Sequence, residues 1–382
     1  MINIFKNRKH RTNRSFDMPK FTTTIFLAFI SLGSFAQKSA LTLEKLGLKS
    51  LQQKMSYIPA KSFNSLVHTG SDSVSNYTSR ISTVRGFYIS QTEVTNKEYR
   101  EFVHYIRDSI AHNLLQHWQS GTNAIDWNQK IDWKDERLDP IMIDPEYRIL
   151  DRKEIDANKI FFEIDFFGQK ETISIYPDTL VWIRDFSYSY NEPLAKRYFT
   201  YKEYDQYPVV GISLKQAMAF CQWKTTQLKK QIKGDAAVVV SLPSHAEWES
   251  AAVDDKGNSG EVQKGGTYLC NFGAVTAGKG YTGKDYKDDG FFYTGPVKSY
   301  PPNSYGLYDM KGNVAEWTST ARDEIVNVEV KADKQKNYFI VKGGGWNSTA
   351  FYLQPEACQF FPTDAAHCFV GFRYVVRVEA KQ

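Results

Sequence analysis

Cysteine is scarce in this chain, with four among 382 residues at positions 221, 270, 358 and 368. No two of them form Cys-x-x-Cys, which excludes a zinc ribbon and a thioredoxin-type redox pair. Net charge is small as well, +5 from 48 basic and 43 acidic side chains. Part of that excess lies in the first 20 residues, so no basic footprint for nucleic acid remains. The one long apolar run, Ile25 to Phe35, is too short to span a bilayer. No internal repeat is present. His68, His104, His112, His117, His245 and His367 show no metal-ligand spacing.

Aromatic residues, by contrast, are abundant: 25 Phe, 23 Tyr and 8 Trp. That content suits a loop-rich fold pinned by large side chains, most of them in the core. The length allows about one to three domains. Lys6, Arg8, Lys9, Arg11, Arg14 and Lys20 precede the apolar run, and Ser34-Phe35-Ala36 before Gln37 fits a small-x-small cleavage pattern. Residues 1–36 are therefore expected to be an export signal, with Met18 an alternative start. The mature chain is then expected in an exported, periplasmic and oxidising space, with no transmembrane segment. The residue directly after the apolar run and its cleavage pattern is Gln37 rather than cysteine, so no lipid anchor is expected. The even cysteine count permits two disulfides in three connectivities. Cys358 and Cys368 close a short loop compatible with a bridge, and Cys221 falls in an amphipathic helix pattern.

Residues 37–54 read as a helical linker or an amphipathic arm, with Leu41, Leu43, Leu46, Leu48 and Leu51 spaced by charges. Strands are expected at 55–60 and 84–90, with a Ser/Thr/Asn-rich loop at 64–80 between them. Thr95 with Glu98, and Ser213 with Gln216, have capping-box spacing and open two helices. A third helix opens after Pro243. Tyr99, Phe102, Val103 and Ile106 give the first helix one apolar face. Residues 111–206 read as a folded insertion, with strands expected at 160–167, 171–176 and 180–186, because a structureless loop of that length is unusual. Residues 254–290 read as loop, and closing strands are expected at 339–341 and 371–378. Short elements and long loops imply one α+β domain at 55–380.

The densest chemistry lies in Asn303-Ser304-Tyr305-Gly306-Leu307-Tyr308-Asp309-Met310-Lys311-Gly312-Asn313-Val314-Ala315-Glu316-Trp317. Glycine lets the backbone turn sharply enough for carbonyls and the Asp309 and Glu316 carboxylates to converge. Six to eight oxygens are what Ca²⁺ takes. A solvated polar turn would use the same residues, so spacing alone leaves both readings open.

Seven ordered blocks resemble the formylglycine-generating-enzyme (sulfatase-modifying factor) superfamily. They are Tyr57-Ile58-Pro59-Ala60; Phe87-Tyr88-Ile89 with Glu93-Val94-Thr95-Asn96; Tyr207-Pro208-Val209 leading to Ala219-Phe220-Cys221; Leu242 to Glu249; Tyr305 to Trp317; Lys342-Gly343-Gly344-Gly345-Trp346; and Gly371-Phe372-Arg373. The resemblance implies a C-type-lectin-like fold with little regular secondary structure and a long insertion. It implies a structural Ca²⁺ at Asp309 and Glu316, completed by the carbonyls of Gly312 and Val314. A second site is implied at Asn271 and Asp289, with the carbonyls of Phe272 and Phe291.

The resemblance also marks departures. The family's two copper-binding cysteines match Ser348 and Leu353, and soft Cu(I) needs thiolates, so no copper and no catalytic residue is expected. The serine of the family's Gly-Gly-Ser is Gly345, and the Trp before its Glu-Trp is Ala315. Cys358 matches a disulfide cysteine whose partner position is Ala252, which leaves Cys358–Cys368 as the implied local bridge. The three-histidine iron site of the ergothioneine-type branch is missing. Ile175 to Phe186, Tyr188 to Pro193 and Tyr204 to Gly211 resemble a narrower group, the gliding-motility lipoprotein K-like branch of the type IX secretion ring. That resemblance implies a non-catalytic scaffold with a ring protein as partner and self-association through the insertion, where Trp118, Trp127, Trp133, Trp182 and Tyr190 are candidates with a core role expected for each. An altered enzyme of the superfamily and a lectin-like glycan or peptidoglycan binder are the alternatives.

Overall fold

The computed structural model describes residues 42–68, 77–186, 190–232, 236–254, 259–260, 262–273, 288–325 and 337–380. The expected export signal at 1–36 lies outside them. Among the described residues there are six α-helices: α1 (Lys49–Gln52), α2 (Asn96–Leu114), α3 (Val181–Arg184), α4 (Glu192–Arg197), α5 (Leu214–Lys229) and α6 (His245–Ala252). The first strands are β1 (Met55–Ile58), β2 (Lys61–His68), β3 (Tyr77–Val84), β4 (Phe87–Ser90), β5 (Phe161–Phe166), β6 (Gln169–Ser174) and β7 (Ala236–Ser241). They are followed by β8 (Gln263–Lys264), β9 (Thr267–Tyr268), β10 (Ala315–Ala321), β11 (Tyr338–Lys342), β12 (Gln359–Pro362), β13 (Val370–Gly371) and β14 (Val375–Ala380).

Two four-stranded sheets hold the fold, in orders β1-β4-β14-β7 and β12-β11-β10-β13. The first is antiparallel throughout. The second has one parallel pair, β10 with β13. Every apolar residue foreseen on the α2 face is buried, and Tyr99 stacks on Phe220 of α5 at 5.8 Å between ring centroids. Phe372 meets Phe220 edge-on at 5.4 Å, which ties the C-terminal segment to the same core. Leu43, Leu46, Leu48 and Leu51 join this core as well. Residues 42–54 are thus an apolar-faced arm packed on the domain, and only Lys49–Gln52 of it is α-helical.

The helix starts follow from side-chain capping. Ser213 Oγ accepts the Gln216 N–H at 3.2 Å while Gln216 Oε1 accepts the Ser213 N–H at 2.9 Å. Ser244 and Glu247 make the same reciprocal pair at α6. Thr95 makes half of one, accepting the Glu98 N–H at 3.3 Å. The Glu98 carboxylate is taken instead by Lys224 and by the Tyr374 hydroxyl, so a charge-assisted tertiary bond displaces a local one.

Four expectations need correction. The supposed loop at 64–80 begins and ends in the β2–β3 hairpin, paired from Lys61↔Val84 to His68↔Tyr77. Its Ser and Thr residues hide the apolar alternation that marks a strand, because one face is solvated. The expected strand at 180–186 is α3, where the short run Val181-Trp182-Ile183 fits either period and Asp178 decides. Its carboxylate accepts the Leu180 N–H at 3.0 Å and starts the turn. A core role fails for Tyr190, which is 99% exposed, and for the half-open Trp118 and Trp127, while Trp182 is buried. Last, no disulfide links Cys358 to Cys368: all four cysteines are free and buried. Strand β12 runs out from Cys358 in extended form, which moves the chain by about 3.3 Å per residue before it returns. Cys358 Sγ ends beside Lys342 Nζ at 3.6 Å, whereas the Cys368 N–H binds Asp185.

The β5–β6 hairpin, α3, α4 and several 3-10 turns fill the insertion, which is folded as expected. Thiol titration of the denatured chain without reductant should give four free thiols per molecule. A count of two or none would restore a bridge.

Candidate functional site: a buried oxygen cluster

The loop leading into β10 has an unusual backbone. Asp309, Gly312 and Asn313 all adopt left-handed φ values, 55°, 77° and 60°. Gly312 has no alternative: a Cβ there would lie 2.0 Å from the Asn271 carbonyl oxygen. That close approach lets the Asn313 N–H donate to the same carbonyl at 2.8 Å. The two segments expected to carry separate oxygen sites are therefore sewn to each other.

Asn313 extends the stitching. Its Oδ1 accepts the Gly295 N–H at 2.8 Å, and its Nδ2 donates to Glu93 Oε1 at 3.0 Å. Its carbonyl accepts the Trp346 N–H at 2.9 Å. The residue is 2% exposed. Asn tolerates the left-handed region better than other non-glycine residues, and its amide can donate and accept at once.

Around this hub the structure gathers Glu93, Asp309, Glu316 and Arg373, all buried. Glu316 Oε2 accepts from Arg373 Nε at 2.6 Å and from Trp248 Nε1 at 2.7 Å. Asp309 Oδ2 accepts the Lys298 N–H at 2.9 Å. Arg373 is anchored by the carbonyls of Ser90 and Tyr308 at 3.1 and 2.9 Å. One oxygen of each carboxylate, namely Glu93 Oε2, Asp309 Oδ1 and Glu316 Oε1, is buried without a hydrogen-bond partner. Burial pushes the Glu93 carboxyl well above its usual range, reinforced by Asp309 and Glu316 and opposed by Arg373. Burial also raises Asp309 to about 6.

The second set is more fully bonded. Asp289 accepts the Phe272 N–H at 2.9 Å and the Phe291 N–H at 3.4 Å. Asn271 Nδ2 donates to the Tyr293 carbonyl at 2.7 Å, while its Oδ1 has no partner. Val314 is fully buried in the same apolar cluster as Trp346. Among the described residues no three His, Cys, Asp or Glu side chains are grouped to hold one metal. Any ion here would take a mixed set of carboxylate, amide and carbonyl oxygens.

The family described as sulfatase-modifying factor enzyme 1-like domain matches residues 49–378. The chain belongs to that family. One relative, the inactive C-alpha-formylglycine-generating enzyme 2 of Bos taurus, is 33% identical over 147 residues, covering 38% of this chain and 40% of the relative. The formylglycine-generating enzyme of Thermomonospora curvata is 27% identical over 187 residues, covering 44% of this chain and 54% of that enzyme. The chain thus spans about half or less of these relatives' lengths. Among solved structures, PvdO from Pseudomonas aeruginosa aligns over 85% of this chain and 94% of its own, with 16% identity and a TM-score of 0.46.

Ser348 and Leu353, expected from the resemblance to stand where the family has copper cysteines, are tightly held. Ser348 Oγ accepts the Gly345 N–H at 2.9 Å, and Leu353 packs against Cys270 and Phe272. A side chain at Gly345 would meet the Phe369 carbonyl oxygen at 2.8 Å, so the family's serine does not fit here without movement. Sequence reasoning did not assign roles to Asn313, Glu93 or Arg373. Each lay inside a quoted block, but nothing in the spacing says that residues 93, 313 and 373 meet.

Asn313→Ala removes a donor and an acceptor and leaves Glu93 Oε1 and the Gly295 N–H unsatisfied. It should cost about 2–4 kcal/mol, read from urea unfolding. The raised Glu93 and Asp309 values also set a sign. The folded chain holds protons that the unfolded chain releases, so this contribution is complete below about pH 4 and is lost as pH rises through about 6. In metal-free protein the urea midpoint should fall over that window. Glu93→Gln, which keeps the acceptor for Asn313, should flatten the fall.

Proposed function

We propose that the chain is a non-catalytic, exported scaffold of the gliding-motility and type IX secretion ring, binding a ring protein and self-associating through its insertion. One observation carries this reading. Of the sixteen exposed large apolar side chains among the described residues, eleven belong to residues 111–206. Tyr147, Ile149 and Leu150 are 70%, 79% and 81% exposed within four positions. Leu150 is held at a φ of 54°, an uncommon conformation for a bulky side chain. Concentrated exposed apolar surface of this kind is typical of a protein contact.

The absence of catalysis rests on donor chemistry. Ser348 supplies a hydroxyl and Leu353 an alkyl group where Cu(I) would need thiolates. Cys358 lies elsewhere, against Lys342 and His245. Relatives named as inactive and as active enzymes both match, so the reading depends on these positions.

Calcium belongs to the same proposal. What supports it at the first set is two buried carboxylates, each with an unpartnered oxygen, at a loop with left-handed Asp309, Gly312 and Asn313; the Gly312 and Val314 carbonyls would complete the ligand set. The second set, Asn271 and Asp289 with the Phe272 and Phe291 carbonyls, fits less completely, because both Asp289 oxygens already accept N–H groups. A bound ion would cross-link the loops and offset buried negative charge. Chelation should lower the melting temperature by about 5 °C or more. Asp309→Ala with Glu316→Ala should remove the response of the first site. Unchanged melting would mean that no ion is held.

Ile149→Lys with Leu150→Lys tests the scaffold. The wild type should recover a ring component from cell envelope and run larger than a monomer, and the variant should do neither at unchanged melting temperature. A strictly monomeric wild type that captures no ring component would defeat the proposal. Calcium-dependent pelleting with purified sacculi would favour the glycan-binding alternative.

A further inference from the structure

The insertion also builds a cleft. Lys97, Arg100, Glu101, His104 and Arg107 share one side of α2 by their helical spacing. Facing them, the insertion contributes Ile155, Ala157, Ile160 and Tyr176, and the segment around Phe199 and Lys202 closes one end. This open cleft has a volume of about 550 Å³, within the size range of small-molecule sites. It shares no lining residue with the oxygen cluster, and it exists only because the insertion folds back on α2.

Its two halves differ in chemistry. The floor is apolar, made by the buried Val103, Ile160 and Phe199. The rim carries four permanent cations, Lys97, Arg100, Arg107 and Lys202, against two carboxylates, Glu101 and Asp205. Arg100 is committed to Asp205 and to the Phe199 carbonyl. Arg107 is committed to Asp108 at 2.7 Å and lies 5.1 Å over the Trp133 ring. Among the described residues no acid pairs with the Lys97 or Lys202 ammonium. Glu101, one turn along α2 from Lys97, offsets one of these charges, and the rim keeps a net positive charge above the apolar floor, complementary to an anion with a hydrocarbon body.

We propose that this cleft binds a free single-chain carboxylate of fatty-acid type. Its hydrocarbon lies on Val103, Ile160 and Phe199, and its carboxylate lies between Lys97 and Lys202. The inference stands apart from the scaffold reading and survives that reading's failure.

The test uses the mature full chain and dodecanoate below its micelle concentration, followed by calorimetry. Dodecyl maltoside supplies the tail without charge, and acetate supplies the charge without a tail. Saturable one-site binding of dodecanoate is expected, with neither comparator binding. Lys97→Gln with Lys202→Gln should weaken it about tenfold or more. Ala157→Trp, which fills the cleft from the insertion side, should abolish it. Circular-dichroism melting confirms that both variants fold. Absent or unsaturable dodecanoate binding, equal affinity for dodecyl maltoside, or binding unaltered in both folded variants would overturn the proposal.

Discussion

The fold depends on one asparagine held in a strained backbone conformation. Asn313 joins the loop before β10 to the Asn271 segment, to Gly295, to Glu93 and to the backbone of Trp346. These partners come from distant parts of the chain, and none belongs to a regular sheet ladder with it. A loop-rich domain has few repeating hydrogen bonds to distribute stress, so its long loops must be fastened at points. Gly312 makes the fastening possible by giving up its side chain where Asn271 passes.

What surrounds the hub is costly. Three carboxylates and one guanidinium share a water-poor space, and three carboxylate oxygens lack partners. A buried ion pair such as Arg373–Glu316 roughly breaks even against its desolvation. The second and third carboxylates have no such partner and must be protonated or matched by another cation. The same unpartnered oxygens that make the metal-free cluster unfavourable are what the calcium proposal rests on. The energetic problem and the calcium proposal are two views of one arrangement.

The insertion supplies a contrast. It has its own small clusters, such as the one around Leu138, Ile141 and Met142, and it buries Trp182 against Tyr198 and Tyr293. Yet it also carries most of the exposed large apolar side chains found among the described residues. A segment that only completed the core would not do both. One face serves the fold, and the remainder is the surface on which the partner proposal and the cleft proposal rest.

Much of this was legible in the residues. The starts of α2 and α5 followed from Thr95 and Ser213, because capping is a contact over three positions, and α6 opens after Pro243 as expected. The α2 core face followed from periodicity. Ordered blocks identified the family and pointed to Asp309, Glu316, Asn271 and Asp289. The hairpin at β2–β3 was missed because solvated Ser and Thr carry no alternation, and α3 because three apolar residues fit either period.

Local order and family membership were therefore determined by the sequence, since each depends on neighbours a few positions apart or on motifs in fixed order. The meeting of Glu93, Asn313 and Arg373, the separation of Cys358 from Cys368 and the cleft between α2 and the insertion were decided by tertiary structure. Those depend on which distant segments pack together, and packing is set by the shape of the whole core.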